Sequence, residues 1–271
     1  LTPDSVREDA PIAVRGWKPE NYSREYYGPV TLTTALANSL NTVSVRLTLE
    51  FGAHNVATTA RRLGIASRLE PNASLALGTS EVTPLELVGA YAPFANGGIG
   101  VIPHVIERVR DNGGKILYAR TVSGSSRVVA IEHVDMMNRM LAETLQSGTA
   151  RRASIPGWPA AGKTGTSQDY RDAWFVGYTG RMIAGVWLGN DDGTPTKKAT
   201  GSGLPVDIWN RFMRAAHQNL PVVELPGGYA EAGFGRALPP ATVEEQAPAA
   251  PREQGGFALD RWLIDKLFGR R

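Results

Sequence analysis

Two short polar stretches offer chemistry in this 271-residue chain, Ser39-Leu40-Asn41 and Lys163-Thr164-Gly165-Thr166. The lysine admits two readings. With the residues before it, Gly157 and Gly162-Lys163-Thr164 complete G-x-x-x-x-G-K-[ST], the pattern of a loop whose backbone amides cradle phosphate. With the residues after it, Lys163-Thr164-Gly165-Thr166 opens a strand and sets the lysine in a sheet. Ser39 and Asn41 raise a geometric question instead. Residues two apart on a helix point about 200° from one another, so these two share a pocket only if the helix breaks here. Asn38, Ser39, Asn41 and Thr42 favour such a break, because their side chains compete for backbone hydrogen bonds. Taken alone, S-x-N is equally a pair of polar residues on a solvated helix face.

Context decides the lysine. A phosphate loop follows a buried apolar strand and opens a helix whose amides face the ligand. Here Ser147 to Pro156 holds no apolar run, and Pro156 and Pro159 bracket Gly157. Downstream, Ala173-Trp174-Phe175-Val176-Gly177-Tyr178 is aromatic and β-branched, too short and flat in periodicity for an amphipathic helix. Thr179-Gly180-Arg181 reads as a turn and Met182 to Leu188 as a returning strand. The lysine therefore begins an antiparallel meander, and the nucleotide-binding reading falls to last place.

The elements that must position these residues follow from periodicity. Residues 1–29 are polar and carry Pro3, Pro11, Pro19 and Pro29, which predicts an extended surface segment. From Thr31 the apolar residues Leu32, Leu36, Leu40, Val43 and Leu47 recur at helical spacing as far as Phe51-Gly52. Val56 to Leu63 predicts a short helix. Thr83-Pro84 predicts the capped start of another, which stops at Asn96-Gly97-Gly98. Val105 to Val109 and Lys115 to Tyr118 flank Asp111-Asn112-Gly113-Gly114 as a hairpin. Ile131 to Thr144 and Pro205 to Ala216 are amphipathic helices on either side of the meander. Residues 1–220 are thus expected as the domain, 221–256 as a Pro/Ala/Gly-rich linker and 257–271 as a short amphipathic helix.

Composition narrows the classes. A hydrophobic content of 42% suffices for a proper core. Lys plus Arg exceed Asp plus Glu by only three (29 − 26), without a basic block, and no nucleic-acid motif is present. There are no cysteines, which removes disulfides, thiolate chemistry and zinc–cysteine sites. The four histidines, His54, His104, His133 and His217, lack metal-ligand spacing, so neither metal nor cofactor is expected. No G-x-S-x-G elbow occurs, and no apolar stretch approaches the roughly 18 residues that span a bilayer. The chain opens on Leu1-Thr2-Pro3-Asp4, without a signal peptide or an initiator methionine, and is expected to be a piece of something longer.

In combination the motifs become specific. The chain resembles the transpeptidase domain of class A penicillin-binding proteins, the bifunctional peptidoglycan synthases, over roughly Trp17 to Ala216. The resemblance rests on Trp17-Lys18-Pro19-Glu20-Asn21-Tyr22, Gly28-Pro29-Val30-Thr31-Leu32, and Ala35-Leu36-Ala37-Asn38-Ser39-Leu40-Asn41. It continues through Leu75-Ala76-Leu77-Gly78-Thr79-Ser80-Glu81-Val82-Thr83-Pro84, Phe94-Ala95-Asn96-Gly97-Gly98, Gly148-Thr149-Ala150, Ala161 to Ser167 and Asp172 to Tyr178. It implies an α/β (α+β) fold of the penicillin-recognising transpeptidase and β-lactamase kind: an antiparallel sheet flanked by helices, beside a mostly helical lobe.

The implied reaction is acyl transfer through a serine acyl-enzyme, releasing D-alanine from a D-Ala-D-Ala stem peptide and cross-linking peptidoglycan. On this resemblance Ser39 relays a proton to the leaving amine and Asn41 hydrogen-bonds the substrate's peptide backbone. Lys163 supplies positive charge, Thr164 and Thr166 bind the terminal carboxylate, Thr166 N–H forms half an oxyanion hole, and Gly165 makes room for substrate. Implied partners are stem peptides, β-lactams, and a glycosyltransferase domain with a membrane anchor on the periplasmic face of the inner membrane.

The chain departs from the family in one respect. The nucleophile lies in S-x-x-K, yet the residues three before Lys18, Lys115, Lys163, Lys197, Lys198 and Lys266 are Arg15, Asn112, Ala160, Thr194, Pro195 and Leu263. The nucleophile helix and the first strands are accordingly expected upstream of Leu1, and this chain alone is expected to be inactive. The alternatives are a non-catalytic module that keeps the fold and, further off, a serine β-lactamase.

Overall fold

A computed structural model describes residues 1–121 and 126–227. The amphipathic helix expected at 257–271, and the linker beyond Gly227, lie outside the described residues.

The first strand, β1 (Val6–Asp9), pairs antiparallel with β2 (Gly28–Thr31). This corrects the expectation of a surface segment over residues 1–29. Proline density hid the strand, and the buried residues that pin the region, Asp9 and Asn21, are polar. Thr31 caps helix α1 (Leu32–Ala37), accepting the amide of Thr34 at 3.1 Å. Helix α2 (Asn41–Phe51) follows, and Gly52, with φ of +85°, turns the chain into α3 (Ala53–Arg62). A 3₁₀ turn over Ala73–Leu77 leads to α4 (Pro84–Ala95). Its start is a capping box: Thr83 accepts the Glu86 amide while Glu86 reaches back to the Thr83 amide. Those hydrogen bonds, together with the Ser67 hydroxyl and amide, hold the Glu86 carboxyl down to about 2. Ala57, Ile65, Leu69 and Ala90 form the core of this helical lobe.

The expected hairpin is β3 (Arg108–Arg110) with β4 (Ile116–Ala119), turned by Asp111, which accepts the amides of Gly113 and Lys115. Val105, at 97% exposure, stays outside it. Helix α5 (Ile131–Gln146) then crosses to the main sheet, which runs β5 (Ala161–Thr166), β6 (Asp172–Tyr178) and β7 (Ile183–Gly189), antiparallel in the order β5-β6-β7. Alternation sorts the faces. Phe175 turns into a core with Leu145, Ile155, Val206, Met213 and Trp209 of α6 (Leu204–Ala216), Phe175 and Trp209 meeting edge to face at 5.1 Å. The Trp209 indole donates to the carbonyls of Gly177 and Ala184, at 3.1 Å each, so its polar edge is satisfied inside the core. Tyr178 lies in a second core with Leu141, Ala161 and Leu225, and its hydroxyl donates to Asn138 at 2.7 Å.

Candidate active site

The apolar periodicity running from Leu32 to Leu47 conceals a break. Residues 38–40 separate α1 from α2, with Ser39 at φ +57°. The Leu40 amide bonds to the Ala35 carbonyl at 2.9 Å and the Ser39 amide to the Leu36 carbonyl at 3.1 Å. This six-to-one and five-to-two pair is a Schellman helix end, and Leu40 packs on Ala35 and Val43 to complete it. The left-handed position in such an end usually belongs to glycine. Serine there costs conformational energy, so the surroundings must over-determine it. The break resolves the angular problem: Leu40 is buried, while Ser39 and Asn41 on either side of it are partly open.

The partner of Ser39 comes from the sheet. Lys163 Nζ donates to Ser39 Oγ at 2.9 Å and to the Thr164 carbonyl at 2.9 Å. As acceptor from the ammonium, Ser39 keeps its own O–H proton free to donate elsewhere. Lys163 retains some contact with solvent, yet protein crowds its ammonium, and this desolvation lowers it to about 8. A group with that pKa is mostly charged at neutral pH and can still give up a proton.

The sheet spaces the remaining motif residues by its pleat. Lys163 pairs with Val176 and Gly165 with Trp174, which puts lysine and glycine on one face and Thr164 and Thr166 on the other. A Cβ at Gly165 would press on Trp174 at 3.3 Å. The Thr164 hydroxyl meets the Thr149 hydroxyl at 2.7 Å, and the Thr166 hydroxyl accepts the Gly201 amide at 2.9 Å. Gly201 lies so close to the Gly165 and Trp174 carbonyls that a Cβ there would come within 2.5 Å of both. Asn41 donates from Nδ2 to the Glu20 carbonyl at 2.8 Å, which leaves Oδ1 as the acceptor to face a ligand N–H.

The structure brings Ser39, Lys163 and Thr164 together, and beside them stands Thr149, which sequence reasoning did not single out. The Thr149 amide bonds to the Ala37 carbonyl at 3.0 Å while its hydroxyl holds Thr164, so one residue links the end of α1 to β5. Gly148 permits this approach, since a Cβ would lie 2.3 Å from the Ala37 carbonyl oxygen. On the lysine face of the sheet a cavity of about 540 Å³ opens between Leu87 and Tyr91 of α4 and Trp174, Val176 and Trp187. Gly162-Lys163-Thr164 lies within a strand, which leaves no strand-to-helix phosphate loop. Among the described residues no group of three or more His, Asp or Glu side chains is placed to hold a metal ion. No helix among them is long and apolar enough to cross a membrane.

An antiparallel sheet carrying a lysine on its edge strand, met by a serine from a helical lobe, has the architecture of the penicillin-recognising transpeptidases. Residues 1–202 match the family described as the penicillin binding protein transpeptidase domain, and the chain belongs to that family. It is similar to penicillin-binding protein 1A of Aquifex aeolicus (strain VF5), with 39% identity over 206 residues, 76% of this chain and 28% of that protein. The corresponding protein of Neisseria gonorrhoeae is 36% identical over 230 residues, 80% of this chain and 29% of its own length. This chain thus spans under a third of these curated relatives. Among solved structures, penicillin-binding protein PonA1 from Mycobacterium tuberculosis aligns at a TM-score of 0.78 and 27% identity over 91% of this chain and 71% of that one.

Proposed function

We propose that this chain forms the substrate-recognising part of a serine D,D-transpeptidase that cross-links peptidoglycan, with the attacking serine supplied by a segment outside these 271 residues. The observation that carries this reading is the 2.9 Å bond from Lys163 Nζ to Ser39 Oγ, made between two lobes and across 124 residues of chain. In the proposed acylation an external serine, its hydroxyl proton taken by a base on its own segment, adds to the carbonyl of the penultimate D-alanine, and the terminal peptide bond breaks. Ser39 passes its proton to the departing amine nitrogen, D-alanine leaves, and Lys163 re-protonates or electrostatically supports Ser39. Thr164 and Thr166 hold the terminal carboxylate, the Thr166 amide receives developing negative charge, and the free Asn41 Oδ1 accepts from a substrate amide. A β-lactam would enter by the same contacts. The whole protein would work at the periplasmic face of the inner membrane, through an anchor and a glycosyltransferase domain carried elsewhere.

A second reading, a fold-retaining module without catalysis, draws on the lack of any serine three residues before a lysine. Fluorescent penicillin separates the two. The 271-residue chain alone should stay unlabelled, and the same chain preceded by its upstream coding sequence should label covalently. A lengthened protein that stays dark would leave the non-catalytic module standing.

A further inference from the structure

The turn that presents Ser39 is fixed from α1 by its Schellman bonds, but the start of α2 has no cap of its own. Leu40, at the cap position, makes no side-chain hydrogen bond, although the first-turn amides of a helix need acceptors. The acceptor comes from a distant segment: the Thr42 amide bonds to Asn21 Oδ1 at 3.3 Å. Asn21 is in turn held by Asp9, its Nδ2 donating to both carboxyl oxygens at 2.8 and 3.0 Å and to the Glu25 carbonyl at 2.9 Å. Asp9 also accepts the Tyr27 amide at 2.9 Å and the Thr42 hydroxyl. All three side chains are buried, with Asp9 and Thr42 at 0% and Asn21 at 3% exposure. Among the described residues no cation pairs with Asp9.

Only an acceptor suits this position. Three donors converge on one carboxyl group, and a carboxylate offers about four lone-pair sites and no N–H to oppose them. An asparagine at position 9 would turn an NH₂ against one of the donors. Thr42 directly follows Asn41, whose Nδ2 is bound to the Glu20 carbonyl next to Asn21. One buried carboxyl group therefore fixes the far side of the strained turn. We propose that Asp9 is a positioning residue of the acyl-transfer site, acting through Asn21 and Thr42 to keep Ser39 and Asn41 in line with Lys163. The proposal rests on the transpeptidase reading above.

The test uses the full-length protein with its nucleophile segment and follows fluorescent-penicillin acylation over time at several concentrations. This separates the acylation rate constant from the pre-covalent dissociation constant. The end-point of labelling gives the competent fraction. For Asp9→Asn and Thr42→Val the rate constant should fall about 10- to 100-fold, as expected when reacting groups shift by about an ångström. The dissociation constant should stay within about threefold, since Thr164 and Thr166 stand on the separate β5 scaffold, and the end-point should remain near complete. Arg7→Ala, which breaks the paired Arg7–Glu50 contact between the same strand and the far end of α2, should leave the rate constant unchanged. An unchanged rate constant in both Asp9→Asn and Thr42→Val overturns the proposal. So does a lowered end-point whose remaining molecules react at the normal rate, because that is a folding role only. If Asp9→Asn does not fold, Thr42→Val decides. Wild-type protein that takes no label overturns the transpeptidase reading beneath it.

Discussion

The two halves of the site are built by opposite means. Lys163 stands on β5, where a regular ladder to β6 and a close-packed core beneath Phe175 and Trp209 fix the backbone. Ser39 stands on a turn with a left-handed backbone, fixed by a helix end on one side and by buried polar bonds from β1 and the following loop on the other. The lysine half draws its order from neighbours in a repeating lattice, the serine half from single long-range hydrogen bonds. Packing tolerates modest change at many points. A hydrogen-bond chain fails at any one of its members.

The largest effect should come from the sheet. Trp209→Ala removes a fully buried indole and leaves the Gly177 and Ala184 carbonyls without their donor, at a cost of about 3–5 kcal/mol. Chemical denaturation should show this as a lower midpoint. A midpoint close to wild type would mean that the sheet is not the rigid half. Next, Lys163→Ala in the full-length protein should slow penicillin acylation by about 10²- to 10³-fold, the scale of losing one preorganised electrostatic contact, with little loss of folded protein. Retained acylation would remove the lysine from the chemistry.

Ser39→Ala should slow acylation by about 10²-fold, at the low end for a positioned proton donor. Comparing it with Ser39→Gly sharpens the contrast, since both lack the hydroxyl but only glycine relaxes the left-handed backbone. The glycine variant should melt about 2–4 °C above the alanine variant, and equal melting temperatures would deny that the turn is strained.

The smallest effect concerns pH. Lys163 should titrate near 8, well below the ordinary lysine value of 10.5, when followed by NMR of its side-chain nitrogen in this chain. The sign for stability follows. Its folded-state pKa lies below the ordinary 10.5, so the charged form opposes folding below about 8, and that cost fades as pH rises from about 8 to 10.5. Lys163→Met should therefore raise the melting temperature at pH 7 by more than at pH 10.5. A gain independent of pH would assign the effect to packing.

This contrast also explains what could be read from the chain in advance. The meander was legible because the aromatic and β-branched content of Asp172–Tyr178 marks a buried strand, and so were the capped start of α4 and the hairpin turn at Asp111. The break at Ser39 could be posed only as a condition for Ser39 and Asn41 to share a pocket. Its usual marker is glycine, and here the left-handed residue carries a hydroxyl instead. Strand β1 was illegible because its anchor is a buried aspartate, and hydropathy patterns treat an aspartate as surface. Thr149 showed no more than a place in a recurring block. Its work depends on a carbonyl in α1 and a hydroxyl in β5, both remote in sequence.

Because β5 closes one side of the three-stranded sheet, it presents backbone donors and acceptors that the ladder to β6 does not use. Such a border invites strands from other copies of the chain, and proteins commonly keep them away with a lysine. Lys163 sits in the middle of that border. Its ammonium, however, is turned to Ser39 and the Thr164 carbonyl, so the charge is spent inside the site and the backbone of β5 is left as an edge along which another strand could pair.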